Sequence, residues 1–393
     1  MKTVIVSGAR TPIGKFGGSL ASFKAAELGG VALKETLTRG DWQAENVDEV
    51  IMGNVLQAGQ GQLPSRQAQE AAGIPWSVRT QTVNKVCASG MRAITLGDNS
   101  IRVGESEVVL AGGMESMSNA PYYAPKARFG ARMGDAKLVD GMVYDGLTCS
   151  FRDVHMGVYG SQTAKELDIS RESQDRWALR SQQRAGLAAR AIAEELVPVD
   201  VKDRKGNVTT VDKDEAPRAD ASYEKLARLK PAFEKDGTIT AGNAPGVNDG
   251  ACAMLLMSEE KAEAEGKIPL ATIEAHTSIA VKPEDFPKTP GLVITELLTK
   301  AKLDVSEIKL FEINEAFATV ALASHQLAGL DPERVNVNGG AVAYGHPIGA
   351  SGARIVLTLA YELNRRGGGY GIASICSGGG QGDAVLIHVK EEA

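Results

Sequence analysis

The sequence predicts an α/β fold in which one layered βαβ-type unit occurs twice, with a long insertion interrupting the first copy. Three pairs of matching segments carry this prediction, because all three occur in the same order in the two halves of the chain. The chain has 393 residues, 43% of them hydrophobic, which is enough for one large core or for two cores that share an interface.

The first pair is a turn that opens a helix. Residues 87–94, CASGMRAI, resemble residues 349–356, GASGARIV. Each segment runs into a helix-like stretch that ends near a glycine, as helix C-termini prefer. An apolar strand and a glycine-containing turn follow in both places, in EVVLAGGMES and in YGIASICSGGG. We therefore expect a helix and then a buried strand at the same place in each half.

The other two pairs are strands. NVDEVIMGNV and DVSEIKLFEIN are each typical of a charged turn that leads into a buried strand. GGGQGDAVLIHV, near the end of the chain, resembles PGVNDGACAMLLM, which comes only after the insertion. These matches divide the chain into an N-terminal half at 1–118 plus 249–270, an inserted domain at 119–248 and a C-terminal half at 271–393.

The insertion differs from the two halves in amino-acid composition. It begins with a basic loop, YYAPKARFGARMG, and continues with a charged amphipathic helical stretch over 170–196. Polar, turn-rich residues follow. We expect a lobe on the surface of the core, suited to binding a ligand or to contacts within an oligomer.

Composition and charge exclude several classes of function. The net charge is −6 and the charges are mixed, so no basic stripe indicates a nucleic-acid partner. The chain lacks the run of about 18 or more apolar residues needed to span a membrane, and its start is typical of a strand rather than a signal peptide. Its four cysteines are far apart, which indicates neither a disulfide framework nor a metal site. We expect a soluble, reduced, cytoplasmic protein.

Two segments suggest an activated thiol. Cys87, in NKVCASG, lies where a strand gives way to a helix, and helix N-termini favour a thiolate and lower its pKa. His346, in GHPIG, lies in a glycine-dense turn of the other half, where a neutral imidazole could take the thiol proton. The alternatives are an inert buried cysteine and a turn histidine that is hydrogen-bonded to the backbone.

Two further segments could complete a site. Cys376, in CSGGG, ends a buried strand, where a thiol could move a proton and the glycine N–H groups could line an oxyanion hole. Asn314, in NEAF, follows the strand LFEI and could hold a water or a substrate oxygen. The alternatives are a core cysteine and a helix cap. All four segments fall at strand ends, where ligands bind in layered α/β folds.

These segments resemble the signatures of the thiolase family. NKVCASG, NEAFA, GHPIGASG and CSGGGQGDA occur in the family's order and spacing, together with VIVSGARTPIGKFGG, GGMESMSNAPY and AGNAPGVNDGA. The resemblance covers essentially the whole chain. It implies the thiolase fold, in which two βαβαβ-type halves form a five-layer α-β-α-β-α core with an inserted loop domain.

The resemblance also implies a role for each candidate. Cys87 is similar to the nucleophile that takes the acyl group as a thioester, and His346 to the histidine that activates it. Cys376 resembles the acid/base that protonates the leaving carbanion. Asn314 resembles the residue whose water, with His346, holds the thioester oxygen. The N–H groups of Cys87 and Gly378 would form a second oxyanion hole.

The inserted domain resembles the family's loop domain, which holds coenzyme A as a substrate rather than a cofactor. The residues at matching positions are His155 and Met156 beside the pantetheine, Arg218 near the adenine nucleotide, Phe233 along the groove, Ala241 at its wall and Phe317 of the NEAF motif. Ordinary surface packing is the alternative for each. The YYAPKARFGARMG loop resembles the one through which family dimers pair, which implies a homotetramer.

Two departures from the family pattern concern the acyl pocket. Pro245 stands where many members carry a serine that contacts the pantetheine, so we do not count Pro245 as a ligand. DFPKTPGLVI replaces the usual methionine- and glycine-rich segment that helps to shape the pocket. Both changes bear on the preferred length of the acyl chain.

The resemblance implies ping-pong transfer of an acyl group to acetyl-CoA, with two acetyl-CoA in equilibrium with acetoacetyl-CoA and CoA. A broader degradative 3-ketoacyl-CoA thiolase is the close alternative. A ketoacyl synthase would use two histidines and one cysteine, and a non-catalytic CoA- or lipid-binding relative would be expected to lack Cys87, His346 or Cys376. The chain has no G-x-S-x-G, G-x-G-x-x-G or P-loop segment, which argues against a hydrolase or a dehydrogenase.

Overall fold

A computed structural model describes residues 1–391; positions 392 and 393, the end of the predicted C-terminal half, lie outside the described residues. The first part of the core is built from β1 (Thr3–Arg10), β2 (Gly14–Lys15), α1 (Ala25–Arg39), β3 (Glu49–Gly53), α2 (Pro64–Ala71), β4 (Arg79–Val83), α3 (Ser89–Arg102) and β5 (Val108–Ser116). The segment that follows contains β6 (Tyr122–Tyr123), β7 (Val139–Asp140), β8 (Thr148–Cys149), β9 (Val154–His155), α4 (Met156–Glu166), α5 (Arg171–Leu187), α6 (Ala189–Ile192), β10 (Val199–Lys202), β11 (Val208–Val211) and α7 (Tyr223–Ala227).

The chain then returns to the core. The remaining elements are β12 (Asn248–Ser258), α8 (Glu259–Ala264), β13 (Ala271–Ala280), α9 (Thr289–Ala301), β14 (Ile308–Ile313), α10 (Ala318–Ala328), α11 (Ala341–Tyr344), α12 (Ser351–Arg365), β15 (Gly369–Ser377) and β16 (Gln381–Val389).

A single mixed sheet runs through both halves in the order β14-β15-β16-β13-β1-β12-β5-β3-β4. Its halves meet at β1 and β13, where Thr3, Val4 and Ile5 pair with Ile273, Thr272 and Ala271. Outward from this junction the strand order is β1-β12-β5-β3 on one side and β13-β16-β15-β14 on the other. Matching strands therefore take matching places, as the predicted duplication requires.

The five-layer α-β-α-β-α arrangement is confirmed. Helices α3 and α12 pack against each other and against strands of both halves, in the central layer. Because side chains alternate along a strand, Ile5 and Ile51 point into this layer, while Val4 and Val50 point to the outer side. Helices α1 and α2 cover that outer side, and α9 and α10 cover the other. The two central helices begin within the matching CASG and GASG segments.

The repeated helix-and-strand pattern also appears as predicted. Helices α3 and α12 are followed by Gly104 and Gly367, whose φ angles of 78° and 75° lie in the left-handed region that glycine tolerates. Strands β5 and β15 follow, and both are deeply buried. Local sequence chemistry therefore places the same turn, helix and strand in each half.

The inserted segment lies partly against the core rather than apart from it. The stretch predicted as helical over 170–196 forms two helices, α5 and α6, and Trp177 of α5 is buried with the outer layer of the C-terminal half. Arg10 of β1 anchors the segment, because its guanidinium donates to Glu195 at 2.6 Å and to Asp214 at 2.7 and 2.9 Å. In the part of the chain that the structure describes, no helix is both long and apolar enough to cross a membrane.

Candidate active site

A cavity of about 410 Å³ opens at the N-terminal ends of the two central helices, between the core and the inserted segment. Its lining includes seven of the predicted site residues, namely Cys87, His155, Met156, Phe233, Phe317, His346 and Gly378. Most of the surrounding wall is apolar, as is usual for small-molecule sites.

Cys87 lies in the turn between β4 and α3. The preceding residue, Val86, has a φ of 47°, which is strained for a β-branched side chain and is of the kind found at functional sites. Ser89 fixes this turn, because its hydroxyl accepts from the N–H of Lys85 at 2.8 Å and donates to the carbonyl of Val86 at 2.6 Å. The backbone thus holds the Cys87 thiol at the cavity wall.

The prediction that the helix end lowers the pKa of Cys87 is wrong for this structure. Burial raises the pKa of the thiol to about 12, although the backbone N–H groups of Gly378 and Cys87 lower it. The charge of Glu115 raises it further. Desolvation therefore outweighs the two N–H groups, and the thiol is neutral at pH 7. The same two N–H groups are the predicted second oxyanion hole.

His346 is buried, and its ring makes no hydrogen bond to the backbone of residues 1–391. Nδ1 lies 2.6 Å from the hydroxyl oxygen of Ser351, and that hydroxyl donates to the carbonyl of Pro347 at 2.9 Å. Ser351 has one hydroxyl hydrogen, so it accepts from an Nδ1–H group, and Nε2 is left as the acceptor. Burial, and then the charge of Arg354, lower the pKa of His346 to about 3. The imidazole is therefore a neutral base.

Asn314 comes directly after β14, and its amide nitrogen lies 3.5 Å from Nε2 of His346. Its Oδ1 is buried and accepts no hydrogen bond from the described residues. The alternative that Asn314 caps a helix is wrong, since α10 begins at Ala318 with Phe317 at its cap position. A buried amide oxygen with these surroundings suits a bound water or a polar ligand group.

Cys376, in β15, is fully buried and packs with Phe286, Ala316 and Phe317. Burial, and then the neighbouring Cys87, raise the pKa of its thiol well above the usual range. Both thiols are thus neutral and within electrostatic reach of each other. Cys376 does not line the open cavity; it lies behind its wall.

Four of the residues predicted to bind coenzyme A lie together. His155 stacks on Phe233 with ring centres 4.0 Å apart, and Phe233 meets Phe317 edge to face at 6.3 Å. Met156 packs against the same cluster and begins α4. Arg218 and Ala241 are exposed and do not line the cavity, so their contacts with the nucleotide stay predictions.

The sequence analysis did not single out several other side chains of the wall. These are Met117, Leu147, Cys149, Phe286 and Ile348. Phe286 belongs to the DFPKTPG segment and Ile348 to GHPIG, so both lay within quoted motifs. Pro245 also lines the cavity and offers an apolar ring there.

Glu115, at the end of β5, was quoted only as part of a motif. Its carboxylate is buried and accepts hydrogen bonds from four donors, including the N–H of Gly349 at 3.0 Å. Burial raises the pKa of this group to about 7.

Comparison with known proteins identifies the family of the chain. The thiolase N-terminal domain matches residues 3–260, and the thiolase C-terminal domain matches residues 267–389. An acetyl-CoA acetyltransferase of Cupriavidus necator is 49% identical over 98% of this chain and 99% of its own length. A probable acetyl-CoA acetyltransferase of Mycolicibacterium smegmatis is 49% identical over 98% and 100%. An acetyl-CoA acetyltransferase of Schizosaccharomyces pombe is 47% identical over 98% of each chain. This chain belongs to the thiolase family.

Proposed function

We propose that this protein is an acetyl-CoA C-acetyltransferase, which interconverts two acetyl-CoA with acetoacetyl-CoA and free coenzyme A. One observation carries the proposal: Cys87 and a neutral histidine line the same cavity, and a second thiol, Cys376, lies behind its wall. Relatives that bear this name, 47 to 49% identical over 98% of the chain, support the choice within the family.

The first half-reaction needs a nucleophile, a base and an acid. In thiolysis, the Cys87 sulfur attacks the ketone carbon of acetoacetyl-CoA while Nε2 of His346 takes the thiol proton. The N–H groups of Cys87 and Gly378 hold the resulting oxyanion, and each such donor is typically worth about 3 kcal/mol of the barrier. Collapse breaks the carbon–carbon bond, and the Cys376 thiol protonates the departing carbanion to give acetyl-CoA.

The second half-reaction returns the enzyme to its starting state. The thiolate of Cys376 takes the proton of an incoming coenzyme A thiol, and the coenzyme A sulfur attacks the acetyl thioester on Cys87. Cys87 leaves as a thiolate and recovers its proton from His346. The first acetyl-CoA leaves before coenzyme A binds, while the acetyl group stays on Cys87. This order gives ping-pong kinetics.

The neutral resting state suits this sequence of steps. With the Cys87 pKa near 12 and the His346 pKa near 3, the pair carries no charge before substrate binds. Charge develops only as the oxyanion forms, beside the two N–H groups that we propose to hold it. The hydrogen bonds to the oxyanion are therefore made in the transition state rather than in the ground state.

The cavity supports a short acyl group. Phe286 and Phe317 close one side of it, while Met117 and Ile348 lie on the other. The cavity's volume of about 410 Å³ must also hold the end of the pantetheine. A broad degradative thiolase is the second candidate, because Pro245 makes this wall more apolar than a serine would.

We also propose a homotetramer that works in the cytoplasm with coenzyme A as substrate. In the YYAPKARFGARMG loop, Phe129 is 83% and Met133 is 94% exposed to solvent. Contacts between subunits would remove this apolar surface from water. The four cysteines within residues 1–391 are all unpaired, as suits a reducing compartment.

Thiolysis rates on a ladder of 3-ketoacyl-CoAs, beginning with acetoacetyl-CoA, test the proposal. We expect a steep fall in kcat/KM beyond the four-carbon rung, and no activity in Cys87→Ala. Flat or rising rates would favour the degradative thiolase. Wild-type protein that is inactive on every rung and takes no acetyl group onto Cys87 from labelled acetyl-CoA would refute acyl transfer altogether.

A further inference from the structure

The duplicated fold places a second set of residues in the pattern of the active site. Cys376 precedes the last residue of β15 and pairs with Gly382, and Glu115 precedes the last residue of β5 and pairs with Gly250. The two residues are therefore structural counterparts. The same correspondence equates Cys87 with Gly349, through CASG and GASG.

The other members of the site have counterparts as well. Asn54 comes directly after β3, as Asn314 comes directly after β14. Asn84 lies three residues before Cys87, as His346 lies three residues before Gly349. This second set has neither the two thiols nor the histidine, and its members are Asn54, Asn84, Glu115 and Gly349. At the position that corresponds to Cys376, the proposed acid/base, the second set has the carboxylate of Glu115.

That carboxylate joins the two halves at the active site. One oxygen of Glu115 accepts from the side-chain amide of Asn54 at 2.9 Å and from the N–H of Leu56 at 3.2 Å. The other accepts from the N–H of Val55 at 3.0 Å and from the N–H of Gly349 at 3.0 Å. Three donors come from the loop after β3, and the fourth comes from the histidine-bearing turn of the other half.

The fit around this turn is tight. A Cβ atom on Gly349 would lie 2.7 Å from Glu115 Oε2 and 2.6 Å from the carbonyl oxygen of Met114. His346 lies three residues before Gly349, and Ile348 packs with Val55 and Leu56 at the cavity wall. A substitution at Glu115 would therefore displace the cavity wall at Ile348 and the imidazole of His346 together.

Within the described part of the chain, Glu115 forms no ion pair with a cationic side chain. Burial raises its pKa, three N–H groups lower it, and the charge of Asp249 raises it again. Anions bound by backbone N–H groups at helix N-termini are stable without a cation, and Gly349 lies just before α12. The charge also reaches Cys87, whose pKa it raises.

We propose that Glu115 is a positioning residue for acyl transfer, which holds the His346 turn against the loop after β3 and, in its ionised form, adds a negative charge that acts on the Cys87 thiol. The proposal rests on the acyl-transfer function proposed above. The Glu115 side chain has two effects: its length determines the contact with Gly349, and its charge raises the pKa of Cys87.

Two substitutions distinguish these effects. Glu115→Asp keeps the charge but shortens the reach to Gly349, and Glu115→Gln keeps the length but removes the charge and turns two acceptor sites into donors. Asp98→Asn is the matched control, since Asp98 is a buried carboxylate paired with Arg102 away from the cavity. We measure kcat and KM for acetoacetyl-CoA, and the rate at pH 8 at which iodoacetamide alkylates Cys87, located by peptide mass spectrometry.

We expect kcat to fall at least tenfold in both variants, with KM changed less than threefold. Alkylation of Cys87 should be at least twofold faster in Glu115→Gln, because a neighbouring negative charge is gone, and within twofold of wild type in Glu115→Asp. Unfolding would also expose the Cys87 thiol and speed its alkylation, so the rates are compared only while both variants keep the near-UV circular dichroism of the wild type. The proposal is overturned if either variant keeps kcat within twofold of wild type, or if the two variants alkylate at equal rates.

The wild-type protein gives a test that does not depend on how the variants fold. Hydrogen exchange resolved to single amides should show Gly349, Val55 and Leu56 protected like amides of the core strands. Exchange of Gly349 as fast as that of the exposed turn at 203–207 would overturn the proposal. If wild-type protein proves inactive, the proposed function fails, while alkylation and exchange still decide the role of Glu115.

Discussion

The hydroxyl of Ser351 fixes the proton of His346 on Nδ1, by accepting from that nitrogen at 2.6 Å while donating to the carbonyl of Pro347. Nε2 is therefore the atom that can take a proton from Cys87. This hydroxyl stands in the first turn of α12, so the helix that begins at the active site also determines the form of the base.

Replacing Ser351 tests this relationship. In Ser351→Ala the ring loses its partner and can change tautomer or rotate, and we expect kcat to fall at least tenfold, since a positioned base contributes about 10²–10⁴. KM for acetoacetyl-CoA should change little. Ser324→Ala, which removes another buried helix hydroxyl at 2.7 Å from a carbonyl, is the control. Equal kcat in the two variants would show that Ser351 does not position the base.

The reactivity of Cys87 should rise with pH far into the alkaline range. Its raised pKa, about 12, means that the thiolate fraction grows tenfold per pH unit from pH 7 to pH 10. Alkylation by iodoacetamide, read at Cys87 by mass spectrometry, should follow that slope without levelling. A plateau below pH 8 would mean that the two N–H groups, rather than burial, dominate the thiol's pKa.

Removing the second thiol should separate the two chemical steps. In Cys376→Ala, Cys87 should still take an acetyl group from labelled acetyl-CoA, though more slowly, because its base and its oxyanion hole are intact and the departing coenzyme A thiolate can take its proton from water. Formation of acetoacetyl-CoA should fall at least a hundredfold, since no group remains to move the carbon-bound proton. Retained synthesis would refute the acid/base role, and Cys252→Ala, at a buried cysteine of β12, is the matched control.

Phe286 should limit the size of the acyl group. Its ring packs edge to face against Tyr159 and Phe317, at 6.2 and 6.5 Å. Phe286→Leu leaves more room beside Cys376, so we expect the ratio of kcat/KM for the six-carbon over the four-carbon 3-ketoacyl-CoA to rise at least threefold. Phe23→Leu, a substitution in the outer layer beside α1, should leave that ratio unchanged. An unchanged ratio in Phe286→Leu would place the chain-length limit elsewhere.

The buried ion cluster at Arg10 should be costly to break. Arg10→Met leaves Glu195 and Asp214 without their cation, and removing one partner of a buried pair typically costs about 3–5 kcal/mol. We expect a fall of that size in the free energy of unfolding measured in urea. A loss below about 1 kcal/mol would mean that water or other groups replace the guanidinium.

Local pattern was enough to predict the repeated parts of the fold. CASG and GASG each open a central helix, and the glycines after both helices mark where these end. The site turns at Cys87 and His346 could be found because their residues are chemically distinctive and stand at strand ends. Cys87, His346 and Gly378 meet at one cavity because the two halves pack through α3 and α12.

Properties set by distant contacts could not be predicted in the same way. The helix-end argument gave the wrong direction for the pKa of Cys87, because burial by surrounding residues outweighs local N–H groups. The strain at Val86 has no signal in its residue type. Glu115 acts through Gly349, 234 positions away in sequence, so only the folded chain reveals the contact.

The position of β12 in the sheet has a consequence for synthesis on the ribosome. Strand β1 lies between β12 and β13, so both of its partners are made more than 230 residues after it. At a translation rate of about 5–20 residues per second, that wait lasts roughly 10–50 seconds. During this time β1, and then β5 once it has been made, are apolar strands with open edges, and such edges invite aggregation. The first half of this protein therefore leaves strand edges unpaired until the strands on the far side of the insertion have been made.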